Sequence, residues 1–455
     1  MYIKGCLTMK IPEKAPDWQS LLSANFTTLF EPENMTALNE LILRIDHGDS
    51  YVYWDVFKYH PMPKKITQEQ AWAYLKFSRQ SKILKTELVS KKSENFGYWA
   101  PDNVLRKLSF IDQHASGQIL IGDATIHRAE QKRYLINSLM EEAIASSQLE
   151  GAATTRKVAK EMLRSGRKPK SHAEKMIYNN YQTIIKIKEL IKKPLSNELL
   201  YELHRSMTEG TLEPSLCGRF RTVEDDPIDV KDVEGNVLYE PPSPDKISAM
   251  MKILYDYANE VTTEERFTHP VIKAINLHFY LSYIHPFNDG NGRTARALFY
   301  WYMLKKRYWM FEYLTISKIF LEAPSQYAKA FLYTEIDNLD LTYFITFHLR
   351  VIDIAINKLI QYIKRKQKEV SETTRLLKKY SDLNHRQGEA LRYILDHPDE
   401  IYSISIHQNI HSITYETSRT DLLNLVMKKL IVMKKKGRRF CFLASKNLTK
   451  EIKRL

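Results

Sequence analysis

Between His285 and Arg296 the chain reads HPFNDGNGRTAR. This short window brings together an imidazole, a carboxylate, a glycine-rich turn and two guanidinium groups. His285 titrates near neutrality by type and can take a proton from an incoming hydroxyl. Gly290, Asn291 and Gly292 offer backbone N–H groups as a concave cradle for a di- or triphosphate, with glycines free to adopt positive φ. A helix opening behind the turn at Arg293 adds the partial positive charge of its N-terminus. Asp289 is a hard oxygen ligand beside that cradle, suited to Mg²⁺ bridging phosphates. Arg293 and Arg296 lie three apart on one helical face, with forked donors for phosphate oxygens or a carboxylate. These are the parts needed to hold the phosphates of a nucleotide and to deprotonate a hydroxyl that attacks it.

Such groups act only if neighbouring elements position them. Upstream, Val271, Ala274, Ile275, Leu277, His278, Leu281 and Ile284 recur at helical spacing, and Pro286 stops that helix. Downstream, Ala295, Ala297, Leu298, Trp301 and Leu304 carry the second helix, so the motif is a helix–loop–helix. Earlier, Gly235-Asn236 forms a turn between Asp229-Val230-Lys231-Asp232-Val233 and Val237-Leu238-Tyr239, a short β-hairpin in a chain that otherwise reads as helical.

The segment resembles the signature HPFxDGNGRxxR of the Fic family, and every signature letter is present. The resemblance covers roughly residues 130–350. It implies a mainly α-helical fold and transfer of AMP from Mg·ATP to a Ser, Thr or Tyr hydroxyl of a target protein. It makes His285 the general base and Asp289 the metal ligand. Gly290, Asn291 and Gly292 then bind the α- and β-phosphates. Arg293 contacts the outer phosphates, and Arg296 the γ-phosphate or an inhibitory glutamate. Phe287 becomes a buried anchor for the loop. Asn288, at the variable position, joins the nucleotide-binding set. Gly292 favours AMP transfer, since relatives that transfer phosphate carry lysine there.

Three further features fit the resemblance. Ser146-Ser147-Gln148-Leu149-Glu150-Gly151 is similar to the pattern [ST]xxxE[GN] of the self-inhibited class. It implies that Glu150, with Ser146, occupies the donors of Arg296 and displaces the γ-phosphate. The hairpin, after Gly218 and Arg221, corresponds to a flap that pairs with the target as an added strand. Tyr327 corresponds to a tyrosine of the adenine pocket. The asparagine that some relatives place eight residues later is Glu335 here, which leaves the adenine contacts open. Other outcomes of the same loop are transfer of another nucleotide, removal of AMP, or a DNA-binding regulator that senses nucleotide.

The 455 residues provide room for two or three domains, and 44% apolar content supplies real cores. The expected division is a helical accessory domain over 1–110, a Fic domain over 111–360, a helical linker over 361–380 and a further domain over 381–455. Residues 1–110 show helical periodicity from Gln68 to Leu88 and aromatic clusters. The N-terminus lacks a signal-peptide pattern, and Arg350 and Asp353 interrupt the most apolar stretch, so a cytoplasmic protein without a membrane span is expected. Cys6, Cys217 and Cys441 are too few and too scattered for a disulfide framework or a zinc site. Net charge is +14, and Lys428 to Leu455 holds eleven Lys or Arg against one acid, Glu451.

The order of elements after Leu383 resembles a winged helix-turn-helix. Its recognition helix would run from Thr414 to Lys429, with Tyr415, Thr417, Ser418 and Arg419 toward base edges. Lys434, Lys435, Lys436, Arg438 and Arg439 form a basic wing suited to phosphates, which makes DNA a candidate partner. Ile404 to Ile410 fits either a strand or a short helix. Family relatives also suggest a homodimer.

Overall fold

The computed structural model describes residues 11–46, 48, 51–116, 128–231, 235–259, 267–377, 382–396, 401–436 and 439–445, and all structural statements concern these. The chain is mainly α-helical, with short antiparallel hairpins. It divides into two compact units, one of residues 1–119, 134–154 and 170–356, the other of residues 120–133, 155–169 and 357–455.

The first unit begins with α1 (Trp18–Ala24), α2 (Phe26–Leu29), α3 (Pro32–Asp46), α4 (Trp54–Phe57) and α5 (Gln68–Gln80). Tyr51, Tyr53, Trp54, Phe57 and Trp72 form an aromatic core among them. Thr67 caps α5 through Gln70, whose side chain bonds back to the Thr67 N–H. At the other end Arg79 is wholly buried, gives two hydrogen bonds to Asp46 Oδ1 (3.1 and 2.7 Å), and lies 3.8 Å over the Tyr51 ring.

The helical pattern read as far as Leu88 does not hold beyond Gln80. Instead β1 (Leu84–Val89) pairs with β2 (Asn95–Tyr98). Tertiary docking decides this. The Gly97 N–H donates to Leu339 O (3.1 Å), and the Leu341 N–H donates to Gly97 O (2.8 Å). A Cβ at Gly97 would come within 2.5 Å of the Ile83 side chain and 3.1 Å of Leu84 O, so glycine suits this position opposite β1. Local periodicity carries no record of that long-range contact.

After α6 (Asp102–Ile111) come α7 (Arg128–Leu149) and α8 (Arg156–Ser165), the latter part of the second unit. The first unit resumes with α9 (His172–Leu190), α10 (Asn197–Thr208), β3 (Val230–Lys231), β4 (Val237–Tyr239) and α11 (Pro244–Asn259). Then follow α12 (Pro270–Ile284), α13 (Asn291–Lys305), α14 (Ile316–Glu322), α15 (Pro324–Ile336) and α16 (Thr342–Leu377), whose residues from Asn357 on belong to the second unit. α12 and α13 bury residues on every face, as expected of helices enclosed by others. They form the centre of this unit, and Trp301 of α13 donates its indole N–H to Leu190 O of α9 (3.0 Å).

The second unit contains α17 (His385–Asp396), α18 (Ile404–His411), α19 (Tyr415–Met427), β5 (Ile431–Lys436) and β6 (Arg439–Ala444). The ambiguous Ile404 segment is a helix, capped by the Ser403 hydroxyl on the Ile406 N–H. β5 and β6 run in continuous register from Ile431↔Ala444 to Lys436↔Arg439. Asp421 ties the helices together, accepting from Asn384 Nδ2 (2.9 Å), Arg386 Nε (2.7 Å) and His407 Nε2 (3.3 Å). α8 belongs here too. Its Ala159 and Met162 are fully buried, Asn409 of α18 donates to Arg164 O (2.9 Å), and Arg164 lies 5.5 Å over the Tyr393 ring. Among the described residues no helix is long and apolar enough to cross a membrane.

Candidate active site

The helix–loop–helix is present, and α13 opens two residues earlier than expected, at Asn291. Gly290 caps it with φ +80°, and a Cβ there would meet Thr208 at 3.0 Å. Gly292 lies inside the first turn of the helix, so Gly290 alone of the pair needs a left-handed backbone. The first N–H groups of α13 have no intrahelical acceptor and remain donors for an anion.

The Asn291 side chain has a job beside the backbone role expected of this residue. It is fully buried, accepts from the Phe287 N–H (2.9 Å) and donates to Phe287 O (2.7 Å), and so braces the loop. Arg293 also turns inward. At 1% exposure it donates to Met207 O (3.0 Å) and Asp289 Oδ2 (3.3 Å), so the expected fork toward outer phosphates is engaged with protein groups. Asp289 itself is about half exposed, at 47%. Asn288 Oδ1 is buried without a partner among the described residues.

Two further residues hold the loop: His204, which sequence reading did not single out, and Arg221, read there only as part of the turn before the hairpin. His204 of α10 stacks on Phe287 with ring centroids 3.9 Å apart and a 7° interplanar angle. Its Nδ1 accepts from the Gly218 N–H (2.9 Å), so Nε2 carries the proton and donates to Asp289 O (2.8 Å). Burial lowers its pKa to about 4, keeping the ring neutral. Arg221 donates through Nε to His285 O (2.8 Å) and through Nη2 to Pro242 O, while its own N–H bonds Pro286 O (2.8 Å).

His285 sits at the end of α12 with φ +52°, a left-handed conformation that turns its side chain out of the helix. Its Nδ1 faces Ser282 O (3.3 Å), a group that can only accept. The proton is therefore on Nδ1, and Nε2 keeps a lone pair. Burial lowers the pKa to about 4, so the imidazole is neutral at neutral pH and its Nε2 lone pair is unprotonated.

Arg296 faces the carboxylate brought by α7. Its Nε donates to Ser146 Oγ (2.9 Å), and Nη2 donates to Ser146 O (2.9 Å) and Glu150 Oε1 (2.9 Å). Both ionic side chains are only 4% exposed. Burial alone would lower the Arg296 pKa, but the Glu150 carboxylate and its hydrogen bond drive it up. α7 is anchored in turn. Asn180 of α9 donates to Ala143 O and Ser147 Oγ, and the buried Glu142 accepts from the Ser317 N–H (3.0 Å) and hydroxyl.

Behind Arg296 runs a directed chain of hydrogen bonds. His348 Nδ1 donates to Phe344 O (2.9 Å), so its Nε2 accepts from His278 Nδ1 (3.2 Å). His278 Nε2 must then accept from the Tyr327 hydroxyl (2.9 Å), which itself takes a hydrogen bond from Arg296. Burial keeps both histidines neutral, with His348 lowered to about 3 and His278 well below its usual value. Tyr327, the expected adenine-pocket residue, thus supports Arg296 from the wall of the cavity.

These groups border a cavity of about 90 Å³, lined by Glu150, His285, Gly292, Arg296, Tyr327 and Glu335 together with apolar side chains of the hairpin and α15. Burial raises the Glu335 carboxyl to about 8, with Lys91 opposing. The hairpin is the expected one. Val230 pairs with Tyr239 and Lys231 with Val237, and the Tyr239 hydroxyl donates to Tyr283 O (2.8 Å). Asp229 precedes the strand, while Asp232 and Val233 lie outside the described residues.

In the second unit, Tyr415 (48% exposed) and Arg419 are exposed on α19, and Lys434 and Lys435 on β5. Ser418, expected to face outward, is fully buried with its hydroxyl given to Thr414 O (2.9 Å). Thr417 is half-buried and bonded to Thr414 Oγ1 (2.9 Å). Lys436 and Arg439 close the described part of the hairpin, and Arg438 lies outside the described residues.

A neutral imidazole, the N-terminal turn of α13 and a guanidinium bonded to a carboxylate thus meet at one cavity. Residues 194–303 match the Fic/DOC family model, so the chain carries a Fic/DOC domain. It is 34% identical over 99 residues to a protein adenylyltransferase Fic of Nematostella vectensis, covering 22% of this chain and 20% of that protein. It is 29% identical over 201 residues to a protein adenylyltransferase Fic of Drosophila willistoni, covering 42% and 37%. The chain thus spans under two-fifths of the length of these relatives. A crystal structure of a Fic family protein from Desulfovibrio desulfuricans is similar at 17% identity with TM-score 0.48, covering 76% of this chain and 95% of that one.

Proposed function

We propose that the protein is a self-inhibited protein adenylyltransferase that transfers AMP from ATP to a hydroxyl side chain of another protein. The observation that carries this reading is Arg296 bonded to Glu150 in the same cavity as the free Nε2 of His285. In the reaction, the target hydroxyl oxygen forms a bond to the α-phosphorus, its proton passes to His285 Nε2, and the bond to the bridging oxygen breaks to release pyrophosphate. The N–H groups at the start of α13 hold the phosphates, and the hairpin aligns the target as an added strand.

A divalent cation fits this donor set. Among the described residues no group of three His, Cys, Asp or Glu side chains could hold one unaided. The half-exposed Asp289 would provide the protein ligand, with phosphates and water completing the shell, a common mode for Mg²⁺. When bound, such an ion neutralises charge that develops on the phosphates.

Glu150 takes the donors that a γ-phosphate needs, and the cavity of about 90 Å³ is well below the roughly 300 Å³ at which small-molecule sites begin. The test is incubation of wild type, Glu150→Gly and Glu150→Gly/His285→Ala with α-labelled Mg·ATP. Label on the single variant, little on wild type and none on the double variant is the expected result. A folded Glu150→Gly protein that labels neither itself nor lysate proteins overturns the reading. For the second unit we infer DNA binding through the exposed Tyr415, Arg419, Lys434 and Lys435. Neutralising Lys434 and Lys435 should weaken binding and flatten its salt dependence.

A further inference from the structure

A two-stranded hairpin is marginally stable by itself, so its contacts decide where the flap β3–β4 lies. Leu238 packs on Ala328 and Leu332 of α15. The Tyr239 hydroxyl bonds Tyr283 O, two residues before His285, and Arg221 binds Pro242 O just past β4. These ties come from elements that carry or border the motif.

A further tie comes from far upstream. Residues 90–94 form the turn between β1 and β2, and Lys91 in that turn reaches the flap. Its Nζ donates to Glu240 O (2.8 Å) and lies 5.4 Å from the centre of the Tyr239 ring. Its backbone N–H donates to the Tyr283 hydroxyl (3.0 Å). Its carbonyl accepts from Lys246 Nζ (2.9 Å), at the start of α11, the first helix after the flap. One residue thus meets the exit strand of the flap, the helix that ends at His285 and the helix that follows the flap.

A tie made from a loose turn would hold nothing, but this turn is braced. The Ser90 N–H donates to Glu94 O (2.8 Å), and Ser90 Oγ accepts from the N–H groups of Lys92 (3.2 Å) and Glu94 (3.3 Å). Phe96 of β2 is fully buried and meets the rings of Phe279 and Tyr283 edge-on, at 5.3 and 5.2 Å. The turn is therefore docked on the same helix that presents His285. Lys91 does not itself border the catalytic cavity. It also lies outside residues 194–303, which match the family model.

We infer that Lys91 is a positioning residue that clamps the flap over the cavity, so that a target strand paired with the flap brings its hydroxyl to His285 Nε2. The N-terminal hairpin then belongs to the target-binding surface. What the flap aligns is taken from the adenylyltransferase reading; what holds the flap is independent of it.

The test uses the full chain carrying Glu150→Gly. Lys91→Met keeps the stem and removes the donor, and Lys91→Arg restores a donor. Hydrogen–deuterium exchange follows the flap amides of residues 230–231 and 237–239. Labelling from α-labelled Mg·ATP, on the protein itself and on lysate proteins, follows transfer. Thermal melting with Mg·ATP follows nucleotide binding. In Lys91→Met, flap exchange should quicken about threefold to tenfold, the worth of one hydrogen bond, and labelling should slow by a similar factor. The response to Mg·ATP and the exchange of α12 and α13 should stay as in the parent, and Lys91→Arg should recover most of both losses. Unchanged flap exchange overturns the inference. So does faster exchange with undiminished labelling, or loosening that extends through α12 and α13, which makes Lys91 an ordinary structural residue. A parent that labels nothing counts against the adenylyltransferase reading alone, and flap exchange then decides whether Lys91 is the clamp.

Discussion

Replacing Glu150 by Gln isolates the charge of the inhibitory contact from its shape. The amide oxygen can still accept from Arg296, and Ser146 still supplies two acceptors at 2.9 Å. What is lost is the compensation of a guanidinium that is 4% exposed. Breaking a buried ion pair on one side costs about 3–5 kcal/mol, and the retained neutral acceptors place this case near about 3 kcal/mol. For a unit of this size that is a fall in Tm of about 6 °C, at ~2 °C per kcal/mol. The same charge becomes available to a γ-phosphate, so ATP should bind the variant more tightly by a comparable energy, up to about a hundredfold. Thermal melting across an ATP titration reads both effects, because a ligand that binds only the folded state raises Tm with concentration. The expected pattern is a variant less stable than wild type without ATP and more responsive to it. A variant that melts with wild type and gains no more from ATP refutes the idea that the buried charge pair closes this site.

With Glu150 replaced, kcat/KM for transfer should hold steady from neutrality down to about pH 4 and fall below it, because burial places the His285 pKa at about 4; a fall centred near pH 6.5 contradicts this. His204, His285 and His348 have folded-state values of about 4, 4 and 3, below an ordinary 6.5, so the stability they contribute is present above pH 6.5 and lost as pH falls toward those values. Calorimetry at pH 5 should accordingly show proton uptake on unfolding. His278→Leu removes the acceptor of the Tyr327 hydroxyl and should cost about 1–3 kcal/mol in melting experiments, with a raised KM for ATP as Arg296 loses support. Glu335 stays protonated up to about pH 8, so its contribution is full below the ordinary 4.5 and is lost as pH rises through 8; KM for ATP should then rise above pH 8 in wild type and stay level in Glu335→Gln.

The chemistry of the site was legible because HPFNDGNGRTAR concentrates it in contiguous residues, and the hairpin because Gly235-Asn236 punctuates two β-prone runs. The supports were not. His278 and His348 are 70 residues apart, and each reads locally as one more position on a buried helix face. His204 and Arg221 act on backbone atoms of a loop more than sixty residues away, which no spacing rule records. Arg293 was given an outward role by its letter, yet burial turned it into a brace, and the bracing by the Asn291 side chain left no mark on the local pattern. Ser418 failed for the same reason: its position on α19 was right, but its hydroxyl closes onto Thr414 within the helix. Over β1 only helical spacing was read, and pairing with β2, whose Gly97 bonds Leu339 and Leu341, made it a strand.

α8 has one more implication. Its buried Ala159 and Met162 and its bond to Asn409 place it in the same unit as residues far downstream, although it is encoded between two helices of the catalytic unit. The two units are thus interleaved along the gene, and no single cut separates them. A chain shortened near residue 380 would strip α8 of its cover and expose an apolar strip a few residues after Glu150. Such a fragment would report the solubility and activity of a damaged protein rather than those of an isolated catalytic domain. In the same way, an ancestor that acquired its C-terminal module by simple fusion had also to adapt the stretch following its inhibitory glutamate, so these two parts of the sequence are expected to have changed together.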